Sequence, residues 1–195
     1  AGTLLSEFDH LSVRNELSAD LVRELSGRVA EVVLDPTLLH DYGGILDQNA
    51  PKPPCPDTGG YIGVYFVSRL HVNLAREVVR TVRKRLRLKV IMIGSEAAGV
   101  DSDHVFLSAR PSDWLHLFRG AAFICTDSFH GTVAALKFNK PFIVWKGSRP
   151  DRIASLLGAC RIQDRLVSMP DSFSLEKLIE TPLDYDSVLE VLLPR

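Results

Sequence analysis

Cysteine is scarce in this chain: Cys55, Cys125 and Cys160 are the only three in 195 residues. They are too few and too scattered for a disulfide framework or a paired CxxC metal site. Cys125, inside an apolar run, reads as a small buried hydrophobe, and the compartment is expected to be reducing, hence cytoplasmic. No apolar run approaches the ~20 residues that cross a bilayer. The opening residues AGTLLSEF lack both the basic and the apolar stretch of a secretory signal. Charge of one sign is also missing. The net value is −1, so no global field recruits nucleic acid or a membrane, and any anion has to be caught locally. With 46% hydrophobic and 24% charged residues, disorder is excluded, and the length allows one good core, or one domain plus part of another.

What is present, without internal repeats, is an alternation of short apolar runs and amphipathic helices. From residue 61 onward, strands are expected at 61–67, 89–93, 104–107, 122–126 and 141–145. Helices are expected at 73–86, from 111 to about 120, from the end of the fourth strand to about 138, and at 150–157, the last stopped by Gly158. Single helices between strands imply right-handed crossovers and a parallel sheet with helices on both faces, a Rossmann-like α/β domain. Ahead of it, 11–14, 18–25 (closed by Gly27) and 31–34 read as strand, helix and strand. This βαβ remnant, residues 1–46, buries too little to fold alone, and is expected to dock on the second domain or on further chain. Residues 47–60, DQNAPKPPCPDTGG, hold four prolines and two glycines and read as a linker. The second domain is then 61–195.

Along the helix 73–86, Arg76, Arg80, Arg83, Lys84 and Arg87 follow helical spacing. A solvated helix face is the plain explanation; contact with anionic lipid or polyanionic glycan is the other.

The chemistry centres on Thr126-Asp127-Ser128-Phe129-His130-Gly131-Thr132. In open α/β sheets ligands bind beyond the carboxyl ends of the strands. The strand 122–126 ends where Asp127, Ser128 and His130 begin, and the first-turn N–H groups of the next helix suit phosphate or carboxylate. In the ligand-binding reading, Gly131 lets the backbone approach the ligand, Ser128 and Thr132 add hydroxyl donors, and His130 donates to an anion or exchanges a proton. In the plain alternative, Asp127 or Ser128 caps the helix and His130 is a rim residue.

Further segments accompany this turn: SVRNELS (12–18), DPTLL (35–39), PSDWLHLFRGA (111–121), FICTDSFHGTVAALKFNKPFIV (123–144), RIASLLG (152–158) and LDYDSVLEVL (183–192). In this order they resemble the polysaccharide pyruvyl transferase family. The TDSFHGT block together with the VR and DP blocks carries the specificity. The resemblance implies the C-terminal half of a GT-B-like fold of two Rossmann-like domains, preceded by the end of the first. The family's glycine-rich N-terminal segment and most of its first domain have no counterpart here. The acidic residue that often follows the VR pair is replaced by Asn15, with Glu16 one place later.

The resemblance also implies transfer of a pyruvyl group from phosphoenolpyruvate to two hydroxyls of a sugar, forming a ketal on a cell-surface polysaccharide or its lipid-linked precursor. It makes His130 the candidate acid/base or phosphate-side donor and Arg14 the candidate clamp for carboxylate or phosphate, with a surface arginine as the plain alternative. Asp127, Ser128, Gly131, Thr132 and Arg152 are the candidate substrate-binding residues; Arg152 is equally readable as an ordinary helix-surface residue. Asp35 reads as the shaper of the turn before Pro36. Trp114 shares helical spacing with Leu117 and reads as core, although both Trp114 and Trp145 could stack on sugar. The other five histidines lack metal-ligand spacing, so no metal is expected, and no cofactor beyond phosphoenolpyruvate as donor substrate. The expected partners are phosphoenolpyruvate and a saccharide or lipid-linked acceptor; nucleic acid is not expected, and peripheral membrane contact is left open. Two alternatives stay in view: a GT-B glycosyltransferase using a nucleotide sugar, and a non-catalytic binding domain.

Overall fold

The structure, a computed structural model, describes residues 2–47, 60–68, 71–94, 99–147, 150–168 and 172–192. Apart from its end positions, the proline-rich segment 47–60 lies outside these residues, as does Cys55. The chain divides into two compact units, Ala1–His40 and Asp41–Arg195, a division ahead of the expected 46/47 boundary.

The first unit contains α1 (Gly2–Leu5), β1 (Ser12–Val13), α2 (Glu16–Ser26), β2 (Glu31–Val32) and α3 (Pro36–Leu39). β1 and β2 pair in parallel, Ser12 with Glu31 and Val13 with Val32, so the strand-helix-strand reading is borne out with shorter strands. α2 starts where the Asn15 side chain accepts from the Ser18 N–H at 2.8 Å. It ends at Gly27, whose φ of 69° closes the helix in the left-handed region that glycine enters without strain. Asn15 in place of an acid is therefore a helix cap. Few side chains are buried here: Ala19, Ala30 and Leu38 among the apolar ones, Asn15 and Asp35 among the polar.

The second unit begins with α4 (Gly43–Asp47). There follow β3 (Tyr61–Tyr65), α5 (Val72–Leu86), β4 (Lys89–Ile93), β5 (His104–Phe106), α6 (Pro111–Gly120), β6 (Phe123–Thr126) and α7 (Phe129–Lys137). The chain then forms β7 (Phe142–Trp145), α8 (Pro150–Ala159), β8 (Leu166–Val167), α9 (Ser172–Glu180) and α10 (Tyr185–Leu192). The expected strands and helices recur with ends shifted by a residue or two. β8, α3, α4 and α1 were not anticipated, since a two-residue strand and one-turn helices carry too little periodicity to be seen; the nine-residue α9 was not anticipated either.

The strands form one parallel sheet in the order β5-β4-β3-β6-β7-β8. β3 lies at the centre, the chain winds outward through β4 and β5, then returns to the other side of β3 for β6, β7 and β8. This is the doubly wound order, with its topological switch point between β3 and β6. Alternation along the strands sends residues to both faces. Ile62, Val64 and Phe66 join Val90, Met92, Cys125, Ile143 and Trp145 in one core with Ala75, Val78, Val79 and Val82 of α5 and Leu175 of α9. On the other face, Tyr65 packs edge-on against Trp114 and Phe118 of α6, at 5.5 and 5.9 Å between ring centroids. Both faces are covered by helices, as expected.

Gly158 does not stop α8. The helix continues to Ala159, and the left-handed position is taken by Arg161 (φ 59°), beyond which the Ile162 N–H returns to the Leu157 carbonyl at 2.9 Å. That six-to-one bond defines the helix end, and a glycine is not obligatory for it. The basic residues of α5 are largely engaged: Arg76 donates to the Gly99 carbonyl, Arg80 pairs with Glu77, and Arg83 with Asp101 and Asp103. This is the solvated, ion-paired face of the plain explanation.

Candidate functional site

Strand β6 is buried along its whole length, and its last residue organises the turn that follows. The Thr126 hydroxyl donates to the Tyr65 carbonyl of β3 at 2.8 Å and accepts from the Ser128 N–H at 3.1 Å. Asp127 turns back toward the loop after β3: its two oxygens accept from the N–H groups of Val67 at 2.7 Å and Ser68 at 2.9 Å. Burial pushes the Asp127 carboxyl up, and these backbone bonds offset that only in part. The carboxylate thus braces the two loops at the switch point.

Ser128 is the N-cap of α7. Its hydroxyl oxygen accepts from the Gly131 N–H at 3.3 Å, and its carbonyl accepts from both the N–H and the hydroxyl of Thr132. Thr132 is fully buried, so its hydroxyl belongs to the helix interior rather than to a ligand. Gly131 is also employed differently from the sequence expectation. A Cβ there would lie 2.5 Å from the Thr126 Oγ1, so the missing side chain lets α7 sit on the end of β6. The close approach is helix to strand, not backbone to ligand.

These contacts shape a cleft of about 330 Å³ lined by Tyr65, Val67, Ser68, Asp127, Ser128, Phe129, His130, Arg152 and Ile153. It lies at the carboxyl ends of β3 and β6, the switch point of the sheet. The N–H of Phe129, first in α7, is spent on none of the bonds of the Ser128 cap, and the helix N-terminus makes this end of the cleft electropositive. His130 is exposed at the rim, its ring 5.4 Å from that of Phe129 and nearly perpendicular to it. Arg152 enters from the first turn of α8 with its guanidinium carbon 4.6 Å above the Phe129 ring. The Tyr65 hydroxyl is held to its neutral form by burial first and by the neighbouring Asp127 charge second.

Of the sequence candidates, His130, Asp127, Ser128 and Arg152 meet in this one cleft, while Gly131 and Thr132 are buried in α7 and do not line it. Tyr65, Val67 and Ser68 were missed. Their signal is the strand order: once β3 is known to be central, the residues at its carboxyl end become candidates.

Arg14 belongs to the first unit, where the VR and DP blocks meet. Its Nη1 donates to the Asp35 carboxylate at 2.5 Å. Asp35 also caps α3, accepting from the N–H and hydroxyl of Thr37. Burial alone would raise the Asp35 pKa, but the bonds from Thr37 and Arg14 outweigh it and leave the carboxyl below its ordinary range. The Arg14 side chain is 45% exposed, so the ion pair anchors a guanidinium that remains open to solvent. Cys125 is fully buried, a small hydrophobe as expected, and burial also raises the Cys160 thiol to about 11. Among the described residues no helix is long and apolar enough to cross a membrane.

The fold is a doubly wound α/β domain of the GT-B type with a cleft at its switch point. The chain belongs to the polysaccharide pyruvyl transferase family, whose pattern matches residues 1–145. RIASLLG and the closing helix lie beyond that match. No curated protein matches the sequence significantly. Among solved structures, S. aureus MnaA in a co-structure with UDP is similar over 97% of this chain and 54% of its own, with 14% identity and a TM-score of 0.54. An O-GlcNAc transferase mutant from Thermobaculum terrenum is similar over 95% of this chain and 40% of its own, with 13% identity and a TM-score of 0.46. The chain thus spans about half the length of the first of these and less of the second, and the likeness is one of fold.

Proposed function

We propose that this chain takes part in pyruvyl transfer from phosphoenolpyruvate to a saccharide of the cell surface or its lipid-linked precursor, at the cytoplasmic side. The observation that supports it is the convergence of His130, Arg152 and the N-terminus of α7 on one cleft at the switch point, in a member of this family.

The reaction needs a proton delivered to C3 of the enol, which becomes a methyl group and leaves C2 electrophilic. One sugar hydroxyl adds to C2 and loses its proton. The C2–O bond to phosphate breaks with its electron pair going to phosphate. The second hydroxyl then closes the ketal, and the two hydroxyl protons balance the new methyl hydrogen and the released hydrogen phosphate. His130, at the rim and accessible, is the group suited to give and take these protons. The helix N-terminus and Arg152 suit the anionic groups of the donor, because planar N–H forks and first-turn amides both grip oxyanions. Arg14, anchored on Asp35, is the candidate clamp of the first unit.

Titration calorimetry with phosphoenolpyruvate, UDP-sugars and inorganic phosphate tests the reading. Phosphoenolpyruvate is expected to bind more tightly than phosphate, with at least about a tenfold loss in His130→Ala and in Arg14→Ala. Binding of UDP-sugars alone would replace pyruvyl transfer with nucleotide-sugar chemistry in the same cleft, and silence toward all three would leave a non-catalytic domain.

A further inference from the structure

Phe129 is conspicuous because its ring contacts both His130 and Arg152. It is the first residue of α7, between the capping Ser128 and His130. One face of its ring carries the Arg152 guanidinium at 4.6 Å, and the His130 ring stands against it at 81° with centroids 5.4 Å apart. Arg152 lies in the first turn of α8, where the helix dipole disfavours a cation. The phenyl face supplies attraction that the helix does not, through the negative potential above an aromatic ring. It also restricts an arginine whose several rotatable bonds would otherwise spread the charge over many positions. A guanidinium resting on a ring keeps its N–H fork in its own plane, the geometry that grips a pair of oxyanion oxygens.

We propose that Phe129 is a positioning residue of the cleft: its ring holds the Arg152 guanidinium and the His130 imidazole in fixed relation, so that both address one bound anion. The identity of that anion, a phosphoenolpyruvate-like phosphate carboxylate, rests on the function proposed above; the positioning does not.

The test compares Phe129→Leu with Phe129→Trp in the full chain. The readouts are the NMR signals of the His130 ring and the Arg152 Nε without ligand, and the affinity for phosphoenolpyruvate and for phosphate. Phe129→Leu removes the ring and should move both ligand-free signals and weaken phosphoenolpyruvate binding about tenfold, the loss of one aromatic and one cation–π contact. Phe129→Trp keeps a π-face and should restore both signals and an affinity within about twofold. In an Arg152→Ala background, Phe129→Leu should cost less affinity than in the wild type. If Phe129→Leu fails to fold, Phe129→Met takes its place. Unmoved ligand-free signals in Phe129→Leu, or a Trp variant as impaired as the Leu one, would overturn the positioning role. Wild type that ignores phosphoenolpyruvate, with both signals still moved by Phe129→Leu, would sink the proposed function while leaving the positioning role intact.

Discussion

The VR and DP blocks of the first unit and the TDSFHGT block of the second are both crowded with polar residues, yet the two employ them in opposite ways. In the first, a buried carboxylate, Asp35, holds an arginine that stays nearly half exposed. In the second, Thr126, Asp127, Ser128 and Thr132 are all buried and all bonded to backbone groups. Short polar side chains at a strand-to-helix turn are consumed by the turn itself, because the main-chain groups around them must be satisfied away from water. The side chains left to line the cleft beside them are longer or more exposed, Arg152 and His130. A polar motif therefore marks where a site is, while its shortest members build the frame.

The comparison can be broken most forcefully at Gly131. Gly131→Ala places a Cβ against Thr126 and should destabilise the second unit by about 3 kcal/mol, read by chemical denaturation; a neutral result would mean that α7 does not need its close seat. Asp127→Ala strands the N–H groups of Val67 and Ser68 and should cost about 2 kcal/mol, with faster hydrogen exchange at those two amides. An unchanged exchange rate there would show that the brace is ornamental.

Smaller, and specific to the first unit, is the pH dependence of Asp35. Its pKa is lowered on folding, so its stabilisation is complete above the unfolded value and fades as pH falls through the folded one. Protection of the amides in 31–40 should accordingly drop below about pH 4. Asp35→Asn should start about 1 kcal/mol lower and lose that acid-dependent step. The smallest stability effect belongs to His130→Ala, within about 0.5 kcal/mol of wild type because the residue is exposed. Loss of phosphoenolpyruvate binding without loss of stability would place His130 in the chemistry and not in the frame; a large drop in stability would reverse the comparison.

Much of the second unit could be read from the chain because its elements are long enough for periodicity to speak. The apolar run of β4 and the spaced Val78, Val79 and Val82 of α5 needed no tertiary information. β8 and α3 were invisible for the opposite reason, being too short to show a period. The Gly158 stop failed because helix ends are decided by the return bond from Ile162 to Leu157, not by the nearest glycine. At the site, His130 and the helix N-terminus were legible from the strand-to-helix sequence. The roles of Gly131 and Thr132 were not, since both depend on the packing of α7 against Thr126 and on the Ser128 cap.

By itself, the sequence determined the alternation of strand and helix, the strand-to-helix turn at 126–132 and the family. These follow from local periodicity, from backbone geometry at a strand end and from the residues of the motif. Only the tertiary structure decided that β3 sits at the centre beside β6, which brings Tyr65, Val67 and Ser68 to the cleft, and that α8 carries Arg152 onto Phe129. Strand order and side-chain partnership are long-range choices, made when distant segments bury their faces together, and no window along the chain contains both partners.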